Sequence, residues 1–360
     1  MGLKQQLVAR LLTQVGSDWL LVLDPANVRW LTSGACQRGL RAPDEEPALL
    51  MTHEYRWLVC SNCDSQRLFD EEVDQLGFQL KEWPWAVGKR RVLEDLTRDR
   101  DVITDRPFGT FDVVGDRLRR LRLELTDYEA ERLRELGGMI AHAVEATARN
   151  FPAETSEEEI AGQVGHRLLH HSITPAQIQV TGDDRLPLYR RAGFSNSPVG
   201  RCCHIAVTGE RGGLFATVAR TVWFGEPPEE FRADFDDACR LSAALISGSR
   251  RAIPVKGLFD SCRSLLPEAR AEIALRDGPT GYFTGHSAVE SVVGSRPGES
   301  FHNGQAVIWP VRVGQAITSD TILIGDDGGE VITRTDEWPT RVAKVGGWDV
   351  PQADILSRKG

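Results

Sequence analysis

Residues 212–230 decide the fold of this chain and read GGLFATVARTVWFGEPPEE. The glycines at Gly212 and Gly213 end a run that starts at Gly209 and predicts a hairpin turn between two strands. The apolar residues that follow predict a β-strand over residues 215–223. A glycine and two prolines then interrupt the pattern, and the residues beyond them predict a helix over 230–247. The stretch therefore predicts a hairpin strand that leads into a long helix.

Two further helices precede this hairpin. Thr126 and Glu129 form the pattern of a capping box, which predicts a helix that runs to about Asn150. A second capping signal at Thr155 or Ser156 predicts the next helix. Another helix is predicted over residues 257–266, and strands are predicted over residues 177–180, 204–208, 306–313 and 320–324. The turn over residues 325–329 then predicts a hairpin to the closing strands.

The first third of the chain has a different pattern. Short apolar runs over residues 19–23, 48–51 and 56–60 predict strands, and residues 64–76 predict a helix. The pattern changes at the first capping box. The sequence therefore predicts an α/β domain over residues 1–122 and a second domain over residues 123–360, in an α+β chain.

Composition narrows the partners and the compartment. The formal net charge is -9 with 26% charged residues, which provides no basic surface for nucleic acid or an anionic membrane. No apolar run reaches the roughly 18 residues that span a bilayer, and the start lacks the pattern of a secretion signal. The seven cysteines are scattered, which favours reduced thiols. We expect a cytoplasmic protein with no nucleic-acid partner and no membrane partner.

The stretch over residues 212–230 resembles a signature of the creatinase/aminopeptidase P family, in which Gly-Tyr-x-x-Asp-hydrophobic-x-Arg-Thr precedes a Gly-x-Pro turn and a helix. Residues 307–310, 320–324 and 329–333 resemble that family's closing strands, and residues 30–34 resemble part of its N-terminal domain. The resemblance implies a pita-bread C-terminal domain behind a creatinase-type α/β domain. It also implies a homodimer, and a C-terminal cleft that takes a small molecule or a peptide.

In that family two Asp, one His and two Glu hold two divalent cations, since hard cations need several carboxylate oxygens. The matching carboxylate positions differ in this sequence. Ala206 and Thr217 match the two Asp positions, Trp309 or Pro310 matches the first Glu, and Ser319 matches the second Glu. The resemblance therefore predicts no metal site and no cofactor.

Two alignments compete for the family's metal-binding His. One keeps it as His286. The other matches the family's glycines to residues 278–282, which puts Leu275 at the His position and makes His286 a neighbour; this second alignment is favoured. A further family His, on the substrate side, falls near Leu188. In either alignment one imidazole cannot hold two cations.

Several side chains are expected to line the same cleft and could form a metal-free site. A His beside a carboxylate can move protons near neutral pH. The candidate catalytic residues are His204, His286, Glu210 and Asp320. The candidate substrate-binding residues are Arg220, Tyr189, Tyr282 and Trp309. Because Arg220 lies in an apolar strand it needs a partner, which is either a structural ion pair or a substrate carboxylate.

Three functions are open at this point. The favoured one is a noncatalytic pita-bread protein that binds a small molecule, a peptide or a partner. The second is a metal-independent hydrolase of a small C–N bond substrate, since creatinase hydrolyses a guanidino compound on this fold without metal. The third is a true Xaa-Pro metallopeptidase, which would need at least three carboxylates to converge.

Overall fold

The structure, a computed structural model, describes residues 2–35, 45–183, 185–276 and 280–359. These residues form two compact units, Met1–Arg122 and Leu123–Gly360. Within the described ranges, no helix combines the length and the apolar character that crossing a bilayer requires.

The first unit is a mixed six-stranded sheet with helices. Its strands are β1 Trp19–Val22, β2 Ala48–Met51, β3 Arg56–Ser61, β4 Gln79–Trp83, β5 Val102–Thr104 and β6 Asp112–Val113. Its helices are α1 Gly2–Val15, α2 Pro25–Leu31, α3 Ser65–Arg67, α4 Lys89–Thr97 and α5 Gly115–Leu123. The strand order is β4-β3-β2-β1-β5-β6. The helix predicted over residues 64–76 is shorter: α3 passes into a π-helical turn at Leu68–Glu72.

The second unit begins with two long helices, α6 Asp127–Ala148 and α7 Glu157–His170. Both start where the sequence predicts. The Thr126 side chain accepts the Glu129 N–H while the Glu129 side chain accepts the Thr126 N–H, and the Ser156 side chain accepts the Glu159 N–H. These caps satisfy backbone donors that have no partner inside the helix.

The helices α6 and α7 pack on a four-stranded sheet. Its strands are β7 Thr174–Gly182, β8 Cys202–Arg211, β9 Leu214–Phe224 and the C-terminal β19 Leu356–Arg358, in the order β19-β9-β8-β7. The strands β8 and β9 form the predicted hairpin. Side chains alternate between the two faces of a strand, so Ile205 and Val207 of β8 and Val218 of β9 point into the core beneath α6 and α7.

A second core surrounds α8 Glu229–Gly248. It includes α9 Val255–Arg263, α10 Glu268–Arg276 and a five-stranded sheet in the order β11-β10-β12-β15-β16. Those strands are β10 Tyr282–Thr284, β11 Ser291–Val292, β12 Ala306–Ile308, β15 Thr321–Ile324 and β16 Gly329–Val331. Two hairpins complete the unit: β13 Val311–Val313 with β14 Ala316–Thr318, and β17 Thr340–Val345 with β18 Trp348–Ala353.

One prediction about the closing strands is corrected here. The strand predicted over residues 306–313 is two strands, β12 and β13, in different sheets. Pro310 separates them, because proline has no N–H to donate to a sheet ladder.

The four-stranded and five-stranded sheets of the second unit are joined by hydrogen bonds between β9 and the segment at β15. The Ala219 N–H donates to the Ser319 carbonyl at 2.8 Å, and the Thr217 N–H donates to the Thr321 hydroxyl at 2.8 Å. These bonds place the central hairpin strand β9 beside the closing strands, so that residues far apart in the sequence line one cavity.

Candidate functional site

A cavity of about 400 Å³ lies where the four-stranded and five-stranded sheets of the second unit meet. The sheet β7-β8-β9 supplies one wall through Gln177, Gln179, His204, Ala206, Thr208, Thr217 and Ala219. The opposite wall includes Tyr282, Ile308, Pro310, Arg312, Ile317 and Ser319. The volume is within the range of small-molecule sites.

Strand alternation explains which residues reach the cavity. His204, Ala206 and Thr208 are alternate residues of β8, and Thr217 and Ala219 are alternate residues of β9. Ala206 pairs directly with Ala219 across the two strands, and Thr208 pairs with Thr217, whose hydroxyl lies 2.8 Å from the Thr208 hydroxyl. The floor of the cavity is therefore small and uncharged.

The residues that the family resemblance puts at the carboxylate positions include four that line this cavity. They are Ala206, Thr217, Pro310 and Ser319. Of the two residues considered for the first Glu, Pro310 faces the cavity and Trp309 does not. Among the described lining residues there is no Asp or Glu, and in the described ranges no group of three or more His, Cys, Asp or Glu could hold a metal ion. Hydroxyl and amide groups beside arginines do not fit a pair of divalent cations.

Three arginines line the same cavity: Arg190, Arg191 and Arg312. The Arg191 guanidinium lies 5.9 Å from the centre of the Tyr282 ring and donates to the Tyr282 hydroxyl. Arg312 donates from Nε to the Gly314 carbonyl at 3.0 Å and from Nη2 to the Leu186 carbonyl at 3.2 Å. The contacts of Arg191 and Arg312 engage both side chains along the wall of the cavity.

His204 is the candidate catalytic residue that does line the cavity. Its side chain is buried, with 4% of the residue exposed, and its Nδ1 lies 3.2 Å from the Thr221 hydroxyl. Burial, and secondarily the charge of Arg312, lower the pKa of His204 to about 4. The imidazole is therefore neutral at pH 7 and is a weak base.

His286 is not among the described residues that line this cavity. It is buried, and its Nε2 lies 3.2 Å from Oε1 of Glu129, the residue that caps α6. The imidazole thus packs against the start of a helix. In the favoured alignment Leu275 takes the His position; it is half-buried against the α8 core, while Gly278 and Pro279 lie outside the described residues.

Arg220 and Asp320 also lie outside the lining of this cavity, and Arg220 is engaged in two buried ion pairs. Arg220 donates to Glu145 Oε1 at 2.8 Å, to Asp320 Oδ1 at 3.0 Å and to the Thr333 carbonyl at 2.6 Å. Burial lowers the pKa of Arg220, but Asp320 and Glu145 together raise it above the usual value. Arg220 alternates with Ala219 along β9 and so points toward α6.

Three more candidates are placed elsewhere. The Glu210 carboxylate accepts the Gly213 N–H at 2.7 Å and closes the hairpin turn. Trp309 is 1% exposed and packs in the α8 core, where its Nε1 lies 3.2 Å from the Ser249 hydroxyl. Tyr189 is 49% exposed, with its ring 5.5 Å from the Arg185 guanidinium carbon. None of the three lines the cavity, whereas Tyr282 does.

The sequence-based prediction of cleft residues did not include Arg190, Arg191 or Arg312. A usable signal existed for Arg312, because it follows Ile308 and Pro310 at a spacing of two and such residues share a face when the chain is extended. Arg190 and Arg191 lie in the loop between β7 and β8, where no periodic pattern indicates direction.

No protein-family model matches this chain, and no curated protein matches its sequence. Solved structures do match it. The prolidase from Pyrococcus horikoshii OT3 matches with a TM-score of 0.78 at 17% identity over 92% of this chain and 98% of that chain. The Xaa-Pro dipeptidase from Bacillus anthracis matches with a TM-score of 0.78 at 14% identity over 99% of both chains.

The X-Pro aminopeptidase from Thermotoga maritima MSB8 matches with a TM-score of 0.76 at 16% identity, over 98% of this chain and 99% of that chain. At these identities the likeness establishes the fold. The expected α+β class and the expected architecture are thereby confirmed: the chain has the pita-bread fold of prolidases, Xaa-Pro dipeptidases and aminopeptidase P.

Proposed function

We propose that this chain is a noncatalytic binding protein on a peptidase-like fold, and that its cavity binds a small molecule or a peptide. One observation carries the proposal. The family resemblance puts Ala206, Thr217, Trp309 or Pro310, and Ser319 at the four carboxylate positions, and all of these except Trp309 line the cavity. Two-metal hydrolysis needs carboxylate oxygens to hold both cations and to bridge the attacking water.

The open volume favours binding over a site that has been filled. The large side chain of Trp309 does not fill the cavity, because it packs in the α8 core. The small side chains of Ala206 and Ala219 leave the cavity open, and Gln177 and Gln179 supply amide donors and acceptors along its wall. Pockets of this size with a few fixed polar groups are typical of small-ligand sites.

A metal-independent hydrolase is the second candidate, and His204 is the observation that favours it. Two features weigh against it. The His204 ring contacts the Thr221 hydroxyl, and its pKa of about 4 makes it a weak base at neutral pH. A guanidino substrate would also meet like charge from Arg190, Arg191 and Arg312.

A true metallopeptidase would need carboxylates from elsewhere to converge. Acidic residues near the matched motifs are engaged at other places: Glu210 in its hairpin, Asp320 on Arg220, Glu299 on the Gly294 N–H, and Glu330 on Arg134. Glu290 is buried and does not line the cavity.

The test is metal analysis of the purified protein together with cleavage assays. The chain is incubated with Gly-Pro, a Xaa-Pro tripeptide and creatine, each with and without added Mn²⁺ or Co²⁺. We expect no stoichiometric metal and no cleavage. Two tightly bound metals per chain with Xaa-Pro cleavage would establish a metallopeptidase, and metal-free cleavage that His204→Gln abolishes would establish the hydrolase.

We also propose the two domains over residues 1–122 and 123–360, a homodimer and a cytoplasmic location. The domains rest on the two compact units, each with its own apolar core. The homodimer and the location rest on the family resemblance and on the composition alone. Light scattering of the purified chain tests the dimer.

A further inference from the structure

We propose that the ligand of this cavity is a small organic anion, with a carboxylate or phosphate head group held by Arg190, Arg191 and Arg312 and an apolar body on the sheet. The inference rests on the proposed binding function and specifies its chemistry. At the place where relatives by fold would need carboxylates for cations, this chain presents guanidinium groups.

Arginines are the charged residues in the described lining of the cavity. The chain as a whole is acidic, with a formal net charge of -9. The described lining of the cavity nevertheless contains three arginines and no Asp or Glu. Guanidinium groups on a cavity wall recognise carboxylate and phosphate groups, because their N–H donors match the oxygens of these anions.

Two of the arginines make contacts that orient them before a ligand binds. Arg191 is held by the ring and the hydroxyl of Tyr282, and Arg312 is held by the carbonyls of Gly314 and Leu186. Guanidinium groups that are fixed before binding lose less side-chain entropy when they meet an anion. The charge of Arg312 also contributes to the lowered pKa of His204, which indicates a positive potential on the β8 wall.

Much of the remaining lining is apolar. Ala206, Ala219, Ile308 and Ile317 give the cavity an apolar surface, while Thr208 and Ser319 add hydroxyl groups. A bare inorganic ion would leave that apolar surface in water. An anion with a short apolar body covers it and gains hydrophobic free energy.

The experiment compares four probes of equal chain length by isothermal titration calorimetry. The probes are n-hexanoate, n-hexyl phosphate, 1-hexanol and n-hexylamine. We expect at least one anion to bind the intact chain at pH 7, about tenfold or more tighter than hexanol, because hydrogen bonds to charged groups are the stronger ones. Which of the two anions binds more tightly identifies the head group. We expect no binding of the amine.

Two variants assign the binding to the cavity. Arg191→Gln and Arg312→Gln should each weaken binding of the preferred anion by about tenfold, because each removes a charged donor. Arg263→Gln is the matched control, since Arg263 carries the same charge on the exposed surface of α9, and it should leave the affinity unchanged. Arg191 lies on an exposed loop, so its variant keeps the test decisive if Arg312→Gln unfolds.

The inference is overturned if hexanol or hexylamine binds as tightly as the anions, or if neither anion binds at about 10 mM, which is near the weakest affinity expected of probes of this size. It is also overturned if Arg263→Gln weakens binding as much as Arg191→Gln does. These results leave the proposed binding function standing. Only cleavage in the assays above removes that function, and the two failures are therefore distinguishable.

Discussion

Arg220 and Glu145 form a buried ion pair that joins the central strand β9 to helix α6, with 2.8 Å between Nε and Oε1. The pair lies on the face of the sheet opposite the cavity. Asp320 and the Thr333 carbonyl accept the other hydrogen bonds from the guanidinium, and the Thr335 hydroxyl donates to Glu145. The arginine that most resembles the family signature is thus part of the core of this chain.

Replacing Arg220 should therefore cost stability and leave ligand chemistry alone. Arg220→Gln leaves two buried carboxylates without their cation, and we expect a loss of about 3 to 5 kcal/mol in the free energy of unfolding. Arg134→Gln is the control: its pair with Glu330 is exposed, and such pairs contribute about 1 kcal/mol or less. Urea unfolding measures both. Equal losses for the two variants would contradict the buried-network interpretation.

His204 predicts a pH dependence of stability. Its pKa is about 4 in the folded chain and about 6.5 when unfolded, so the unfolded state binds more protons between these values. Stability contributed by the neutral imidazole is complete above pH 6.5 and falls as the pH drops toward 4. The loss is roughly 3 kcal/mol at full protonation.

The measurement is urea unfolding of the wild type and of His204→Gln at pH 7, 6 and 5. The variant should lose less stability than the wild type over this range. His166→Gln is the control, because His166 is exposed on α7 and does not line the cavity, and it should follow the wild type. A His204→Gln curve parallel to the wild-type curve would contradict the lowered pKa.

A carboxylate added to the cavity should cancel its preference for anions. Ala206→Asp places a negative charge on the β8 wall, where it would pair with the arginines. We expect hexanoate binding to weaken about tenfold or more relative to Ala206→Asn, which adds the same volume without charge. Calorimetric titration compares the two variants. Equal affinities would show that charge does not govern the cavity.

Tyr282 should act by positioning Arg191. Tyr282→Phe keeps the ring beneath the guanidinium and removes the hydroxyl that accepts its hydrogen bond. We expect the affinity for the preferred anion to fall by a few fold, about 0.5 to 1.5 kcal/mol, with an unchanged melting temperature. Tyr189→Phe is the control, since Tyr189 does not line the cavity. A loss of anion affinity in the control as large as in Tyr282→Phe would sink this assignment.

Much of the fold could be predicted from the sequence because it depends on local signals. The capping box at Thr126, the cap at Ser156 and the hairpin of β8 and β9 all form where the sequence indicates. Alternation along β9 also contained the direction of Arg220, which points away from Thr217 and Ala219.

The sequence by itself determined the peptidase-like fold, because a motif's order and spacing survive in the chain. It is the family resemblance that puts Ala206, Thr217 and Ser319 where carboxylates are expected. Only the tertiary structure decided which charges meet. Arg191 and Arg312 are far apart in sequence, and they converge because bonds between β9 and the closing strands bring two sheets together around one cavity. Such convergence depends on packing, which no local pattern contains.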